Sequence, residues 1–166
     1  LGVTLAAPRP ISDADDISGF DCSVLALDDW LRRRARANQA SGASRTYVVC
    51  EGNRVVAYFA LASGAVDLDE ATGRLRRNMP DPVPVAVLGR LAIDRAWQKK
   101  GLGRALVKDA LLRVLLAAEA IGIRGILVHA LSPEAAAFYE AVGFEPSPLE
   151  PMTLMATLAD LRAALD

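Results

Sequence analysis

The chain has 166 residues, 52% of them hydrophobic and 23% charged, which is enough apolar material for one self-sufficient domain and too much for a disordered segment. A net charge of −1 argues, taken as a whole, against nucleic-acid binding. The charge is segregated, however: residues 30–113 hold 16 Lys/Arg against 7 Asp/Glu and the rest hold 3 against 13, so a basic block lies between acidic ends and can form one positive face.

No apolar run approaches the roughly 20 residues of a membrane span. Residues 1–10 lack a basic segment followed by an apolar core, so no signal peptide is expected and the cytoplasm is the expected compartment. Cys22 and Cys50 show no metal-ligand spacing; two reduced thiols are expected rather than a disulfide, and no metal.

In chain order, residues 3–6 read as a short strand, and Ser12, Asp13 and Ser18 supply turn and cap chemistry. Residues 25–40 read as a helix with Leu27, Trp30, Leu31 and Ala35 on one face and Arg32, Arg33 and Arg36 on the other; Ser41-Gly42 stops it. Residues 46–50 and 55–62 read as strands joined by the hairpin signal Glu51-Gly52-Asn53-Arg54. Residues 67–84 are polar, with three prolines, and read as a loop with at most one helical turn. A strand over 85–93 follows, then a helix from Gly101 to about Ala120, and a strand over 126–129. Ser132-Pro133 opens another helix that ends at Gly143. Phe144 and residues 153–155 read as closing strands, and residues 158–165 as a final helix. The order β-α-β-β-β-α-β-α-β is a mixed α/β sheet within a single domain over 1–166, and it does not match a doubly wound dinucleotide fold.

The most telling stretch is Gln98-Lys99-Lys100-Gly101-Leu102-Gly103-Arg104-Ala105, a glycine-rich turn between a strand and a helix start. The first N–H groups of that helix lack intrahelical acceptors, and the helix dipole places partial positive charge there. Gly101 and Gly103 let phosphates approach the backbone. Lys99, Lys100 and Arg104 add full charges, so a pyrophosphate is the expected ligand.

This turn resembles the Q/R-x-x-G-x-G/A motif of the GCN5-related N-acetyltransferases. Ala135-Ala136-Ala137-Phe138-Tyr139-Glu140-Ala141-Val142-Gly143-Phe144 resembles that family's A-x-x-F-Y-x-x-x-G-F. Together, in order, the two motifs are specific where either alone is weak. A narrower resemblance, to the tRNA-acetylating toxins of bacterial toxin–antitoxin pairs, is carried by Phe20-Asp21-Cys22, Leu27-Asp28-Asp29-Trp30-Leu31-Arg32, Leu88-Gly89-Arg90-Leu91-Ala92-Ile93-Asp94 and Val128-His129-Ala130-Leu131.

The resemblance implies a mostly antiparallel six- to seven-stranded sheet flanked by four to five helices and splayed between the fourth and fifth strands. It also implies acetyl-CoA held by residues 98–105, with the backbones of Leu91, Ala92 and Ile93 along the pantetheine arm and Ser132 and Phe138 near its thiol end. Tyr139 is then the general acid. A phenol of pKa about 10 is expected to protonate, downhill, a thiolate whose conjugate acid lies near 8.5. No carboxylate or histidine pair stands out as a base; an α-amine of pKa near 8 is partly neutral already, Asp94 is an auxiliary candidate, and His129 reads as structural. Arg32, Arg33, Arg36, Arg45, Arg74, Arg76, Arg77, Arg90 and Arg95 are the expected RNA contacts, while Arg34 reads as a solvated helix position.

The expected activity is acetylation of the α-amine of an aminoacyl-tRNA, which blocks translation. The implied partners are a ribbon-helix-helix antitoxin, operator DNA through that antitoxin, and a second copy in a homodimer, with no membrane. A protein N-terminus or small amine as acceptor is the nearer alternative. A non-catalytic corepressor is the alternative of another class.

Overall fold

The structure, a computed structural model, describes residues 5–166. The strand expected over residues 3–6 begins outside the described residues, and Leu5 and Ala6 belong to no strand. The described elements are β1 (Arg9–Pro10), α1 (Leu25–Arg33), α2 (Ala35–Ser41), β2 (Arg45–Glu51), β3 (Arg54–Val66), α3 (Gly73–Arg76), β4 (Val83–Ile93), a 3-10 turn (Arg95–Trp97), α4 (Leu102–Ala117), β5 (Gly125–His129), α5 (Pro133–Ala141), β6 (Glu145–Pro146), β7 (Thr153–Thr157) and α6 (Leu158–Leu165). The seven strands run in the order β1-β2-β3-β4-β5-β7-β6. The β1–β2, β2–β3, β5–β7 and β6–β7 pairs are antiparallel; β4 and β5 pair in parallel, from Val85 with Gly125 to Leu88 with Val128.

The described helices exceed the expected four to five for two reasons. The predicted helix over 25–40 is broken at Arg34 (φ −121°, ψ −31°), and the loop over 67–84 contains the one-turn α3. Neither glycine nor proline marks the break. Beyond it Arg36 donates to the carbonyl oxygens of Ser12 (3.2 Å) and Asp15 (2.5 Å), a tertiary tie invisible to periodicity. The predicted stop holds, since Gly42 closes α2 in the left-handed region at φ +85°.

The chain forms two compact units, each made of two chain segments. The first comprises the described part of Leu1–Ala62 with Gly89–Asp109. Its core gathers Phe20, Leu27, Leu31, Ala35, Val48 and Tyr58, with Ala92 of β4. Leu27, Leu31 and Ala35 recur every four residues, which lines one helical stripe against the strands. The Tyr58 hydroxyl donates to the Leu27 carbonyl (2.6 Å), and its ring stacks on Trp30 and meets Phe20 edge-on.

The second unit comprises Ser63–Leu88 and Ala110–Asp166. Leu75 of α3 packs with Val66, Val83, Val85, Leu127 and Met155. Here β5 and β7 approach so closely that a Cβ at Gly125 would lie 2.1 Å from the Ala156 carbonyl oxygen. The predicted start of α5 is present, with Ser132 accepting from the Ala135 N–H and Pro133 at its first position; at the start of α6 a cap not marked in the sequence reading appears, Thr157 accepting from the Asp160 N–H.

Candidate active site

In the first unit, β4 ends in a turn held by side chains. The buried Asp94 carboxylate accepts from the N–H groups of Ala96 (3.0 Å) and Asp21 (3.2 Å), and Arg54 lies 3.7 Å from it. Gln98 Nε2 donates to the carbonyl oxygens of Ile93 (2.8 Å) and Cys22 (3.0 Å). Gln98 therefore braces the turn between the end of β4 and the segment preceding α1. That contact spans 76 residues of sequence, and nothing in the local pattern signals it.

After Gln98 the backbone enters the left-handed region at Lys99 (φ +61°) and again at Gly101 (φ +81°) before α4 begins at Leu102. A Cβ at Gly101 would meet nothing within 4 Å, so the space over the turn is open. The 16-residue helix presents the N–H groups of Leu102, Gly103 and Arg104 there, while the Ala105 N–H is already taken by the Gly101 carbonyl (3.3 Å). Lys99, Lys100 and Arg104 are exposed around it, with Lys100 Nζ 5.8 Å from the Trp97 ring centroid. Open space, helix N–H donors and unburied cations together suit a pyrophosphate. Along β4, Ala92 is buried in the core while Leu91 and Ile93 are half-buried. The Gln98 bond uses one of the two lone pairs of the Ile93 carbonyl.

In the second unit, α5 places Tyr139 among aromatic neighbours. Its ring meets Phe138 (centroids 5.2 Å apart) and Phe144 (5.6 Å) edge-on, and it is buried. Ser132, the helix cap, and Phe138 are half-buried. Burial alone, with no charge or hydrogen bond contributing, pushes the Tyr139 phenol up to about 12.

This overturns the expected downhill proton transfer, whose sign was already wrong for an ordinary phenol. An acid of pKa about 12 is far weaker than a thiol near 8.5, so complete transfer to a free thiolate is uphill by roughly 5 kcal/mol. A phenol this tightly protonated is suited instead to donating a hydrogen bond to sulfur as its charge develops, with the proton moving as the C–S bond breaks.

The other candidates for proton chemistry are otherwise engaged. Asp94 caps the turn, and the exposed His129 ring holds Nδ1 3.0 Å from the Thr153 hydroxyl. Both cysteines are free; burial pushes the Cys22 thiol up to about 12, which makes it inert.

The proposed RNA arginines divide between the units and between two states of engagement. In the first unit, Arg32 donates to the Phe20 carbonyl (2.9 Å), Arg36 to those of Ser12 and Asp15, and Arg45 to that of Gln39 (2.8 Å). Arg90 lies over the Trp30 ring (5.2 Å), and Arg95 pairs with Asp21 (3.3 Å). Arg33 and Arg34 are exposed and have no ion pair among the described residues. In the second unit, Arg74 makes a two-pronged contact with Asp160, while Arg76 and Arg77 are exposed without an ion pair among the described residues. Arg124, absent from the expected set because it stands alone in sequence, donates to the carbonyl oxygens of Leu75 (3.1 Å) and Arg74 (2.9 Å).

Comparison with known proteins gives a consistent picture. Residues 42–146 match the acetyltransferase (GNAT) domain family. The chain is 54% identical over 160 residues, 96% of each chain, to a tRNA-acetylating toxin of Mycobacterium tuberculosis (strain ATCC 25618 / H37Rv). Its fold superposes on AtaT complexed with acetyl-methionyl-tRNAfMet with a TM-score of 0.88 at 27% identity, covering 98% of this chain and 100% of that one. It also superposes on a Tyr-to-Phe mutant of AtaT bound to the C-terminus of the antitoxin AtaR and acetyl-CoA, with a TM-score of 0.81 at 28% identity and 96% of both chains covered.

Proposed function

The chain belongs to the GNAT acetyltransferases, among the tRNA-acetylating toxins, and on that premise we propose that it transfers acetyl from acetyl-CoA to the α-amino group of an aminoacyl-tRNA. The acetylated amine has lost the nucleophile of peptide-bond formation, so translation stops. The single observation that carries this reading is the open, positively charged glycine turn at the start of α4, in a chain so similar along its length to a tRNA-acetylating toxin.

In this reading the first-turn N–H groups of α4, with Lys99, Lys100 and Arg104, receive the pyrophosphate of acetyl-CoA. The backbone of residues 91–93 runs along the pantetheine, and Ser132 and Phe138 lie toward the thioester. The neutral amine attacks the carbonyl carbon. The C–N bond forms, the C–S bond breaks, and the Tyr139 O–H stabilises the departing sulfur and gives up its proton as that bond opens. The nitrogen, an ammonium in the tetrahedral intermediate and a far stronger acid than the phenol, loses a proton that restores Tyr139 through water. The products are the amide and the free thiol. No dedicated base is required, because an α-amine of pKa near 8 is partly neutral at pH 7.

The exposed arginines 33, 76 and 77 provide phosphate contacts that do not read sequence. We further assign a homodimer, a ribbon-helix-helix antitoxin that brings the pair to operator DNA, and a cytoplasmic location. No helix among the described residues is long and apolar enough to cross a membrane. The test is acetyl transfer to purified charged tRNAs, with the same tRNAs uncharged as control. Transfer to charged tRNA alone is expected; transfer to neither, with a small amine accepted, favours the small-amine alternative.

A further inference from the structure

Within the second unit a pocket of about 360 Å³ lies among Arg74, Arg77, Arg124 and the start of α6 at Thr157, Leu158 and Ala159. Three arginines line one concavity. Asp160 neutralises Arg74 through its two-pronged contact. Arg124 uses only two of its N–H donors, on main-chain carbonyls, so its charge and its other donors stay available. Arg77 has no carboxylate partner among the described residues. Asp160 also acts through space on Arg124, and Glu145 on Arg74, so the uncompensated positive charge of the pocket is centred on Arg77.

The helix adds to this field. The Leu158 N–H is taken by the Arg124 carbonyl (3.2 Å) and the Asp160 N–H by the Thr157 hydroxyl (3.0 Å). The Ala159 N–H, between them, has no intrahelical acceptor, and the dipole of the eight-residue α6 points its positive end the same way. Guanidinium forks beside a helix N-terminus match the tetrahedral oxygens of a phosphate group.

This place is separate from the chemistry. Gly125 pairs with Thr157 at one end of the β5–β7 ladder, beside the pocket, and His129 pairs with Thr153 at the other, ahead of α5. Four residues of strand put the two ends about 13 Å apart.

We propose that the Arg74–Arg77–Arg124 pocket at the start of α6 is a phosphate-binding site that seats a backbone phosphate of the RNA substrate, away from the reacting amine. The proposal rests on the tRNA reading for its ligand, but not for the pocket's affinity for phosphate. It assigns to Arg124 a part in RNA binding that its isolated place in the sequence does not suggest, and it separates Arg77 from its neighbour Arg76.

The test uses the full chain and two variants. Arg77→Gln removes the unpaired cation. Ala159→Glu puts a carboxylate into the pocket at an exposed second position of α6, where helices favour acids, so folding is retained. Retained acetyl-CoA affinity reports an intact fold in both. Affinity for a charged tRNA is measured across a salt series, and inorganic phosphate is titrated separately by thermal shift. Charged-tRNA affinity is expected to fall about tenfold in Arg77→Gln and further in Ala159→Glu, with the log–log salt slope shallower by about one phosphate contact. Phosphate should raise the melting temperature of the wild type more than that of Ala159→Glu. Unchanged tRNA affinity and slope in both variants would overturn the RNA assignment, even if phosphate still stabilises the wild type. A wild type that binds no charged tRNA refutes the proposed function; phosphate stabilisation lost in Ala159→Glu then still supports the pocket, and equal stabilisation of both proteins refutes it.

Discussion

Tyr139 is where the proposed chemistry narrows to one proton. The Phe138-Tyr139 pair and the downstream Gly143-Phe144 are legible in the sequence, but the consequence of their packing is not. Phe138 and Phe144 exclude water from the phenol and hold its proton up to about 12. Tyr139→Phe keeps those ring contacts and removes only the donor. It is expected to retain acetyl-CoA affinity by calorimetry and to lose about 100-fold or more in kcat, the usual scale of a positioned general acid. The phenol also fixes the shape of the pH profile. The attacking amine must be neutral, so kcat/KM rises through a pKa near 8. Tyr139, with its pKa raised, stays protonated throughout that range and adds no falling limb below pH 10. A profile from pH 6 to 10 with a hydrolysis-resistant aminoacyl-tRNA analogue checks this; a descending limb near pH 8 or 9 assigns the proton to another group. The same sign governs stability: the folded phenol resists ionisation, so its contribution is complete below the unfolded pKa of about 10 and is lost as pH rises toward 12.

At the scale of elements, local chemistry was readable and tertiary ties were not. Ser132-Pro133 and Gly42 mark helix ends through capping, and the structure keeps both, as it keeps the final helix expected over residues 158–165. Just beyond the break at Arg34, Arg36 is tied to carbonyls of the Ser12–Asp15 turn, and Gln98 is tied to Cys22; neither contact leaves a periodic trace. The strand expected over 55–62 continues to Val66 through Ser63-Gly64-Ala65, residues of low strand propensity. A Cβ at Gly64 would lie 2.6 Å from Val87 Cγ2, so the glycine there marks a close side-chain approach, not a stop. Two expectations follow. Gln98→Ala removes both braces of the donor turn and should raise KM for acetyl-CoA about fivefold to tenfold, with a smaller effect on kcat, in steady-state kinetics. Gly125→Ala forces a methyl group against the Ala156 carbonyl and should cost about 3 kcal/mol in denaturant unfolding, because the obstacle is backbone and cannot rotate away.

Across the whole molecule, the segregated charge was the one global feature that the sequence displayed plainly, and the fold refines what it means. Counting arginines treats residues 30–113 as uniform. In the folded chain Arg32, Arg36, Arg45 and Arg124 are all bonded to main-chain carbonyls, Arg33, Arg76 and Arg77 stay exposed with no ion pair among the described residues, and Arg124 lines one pocket with Arg77 from outside the block. Charge thus narrows to a few proposed phosphate contacts, and the choice of acceptor becomes the central claim. The most direct measurement is to incubate the protein with labelled acetyl-CoA and charged tRNA, digest the RNA to nucleosides, and identify the labelled species by mass spectrometry. Label on the amine of aminoacyl-adenosine, formed by the wild type and greatly reduced with Tyr139→Phe, is the predicted result. Label on a nucleobase, or none on RNA from an enzyme that acetylates other amines, would contradict it.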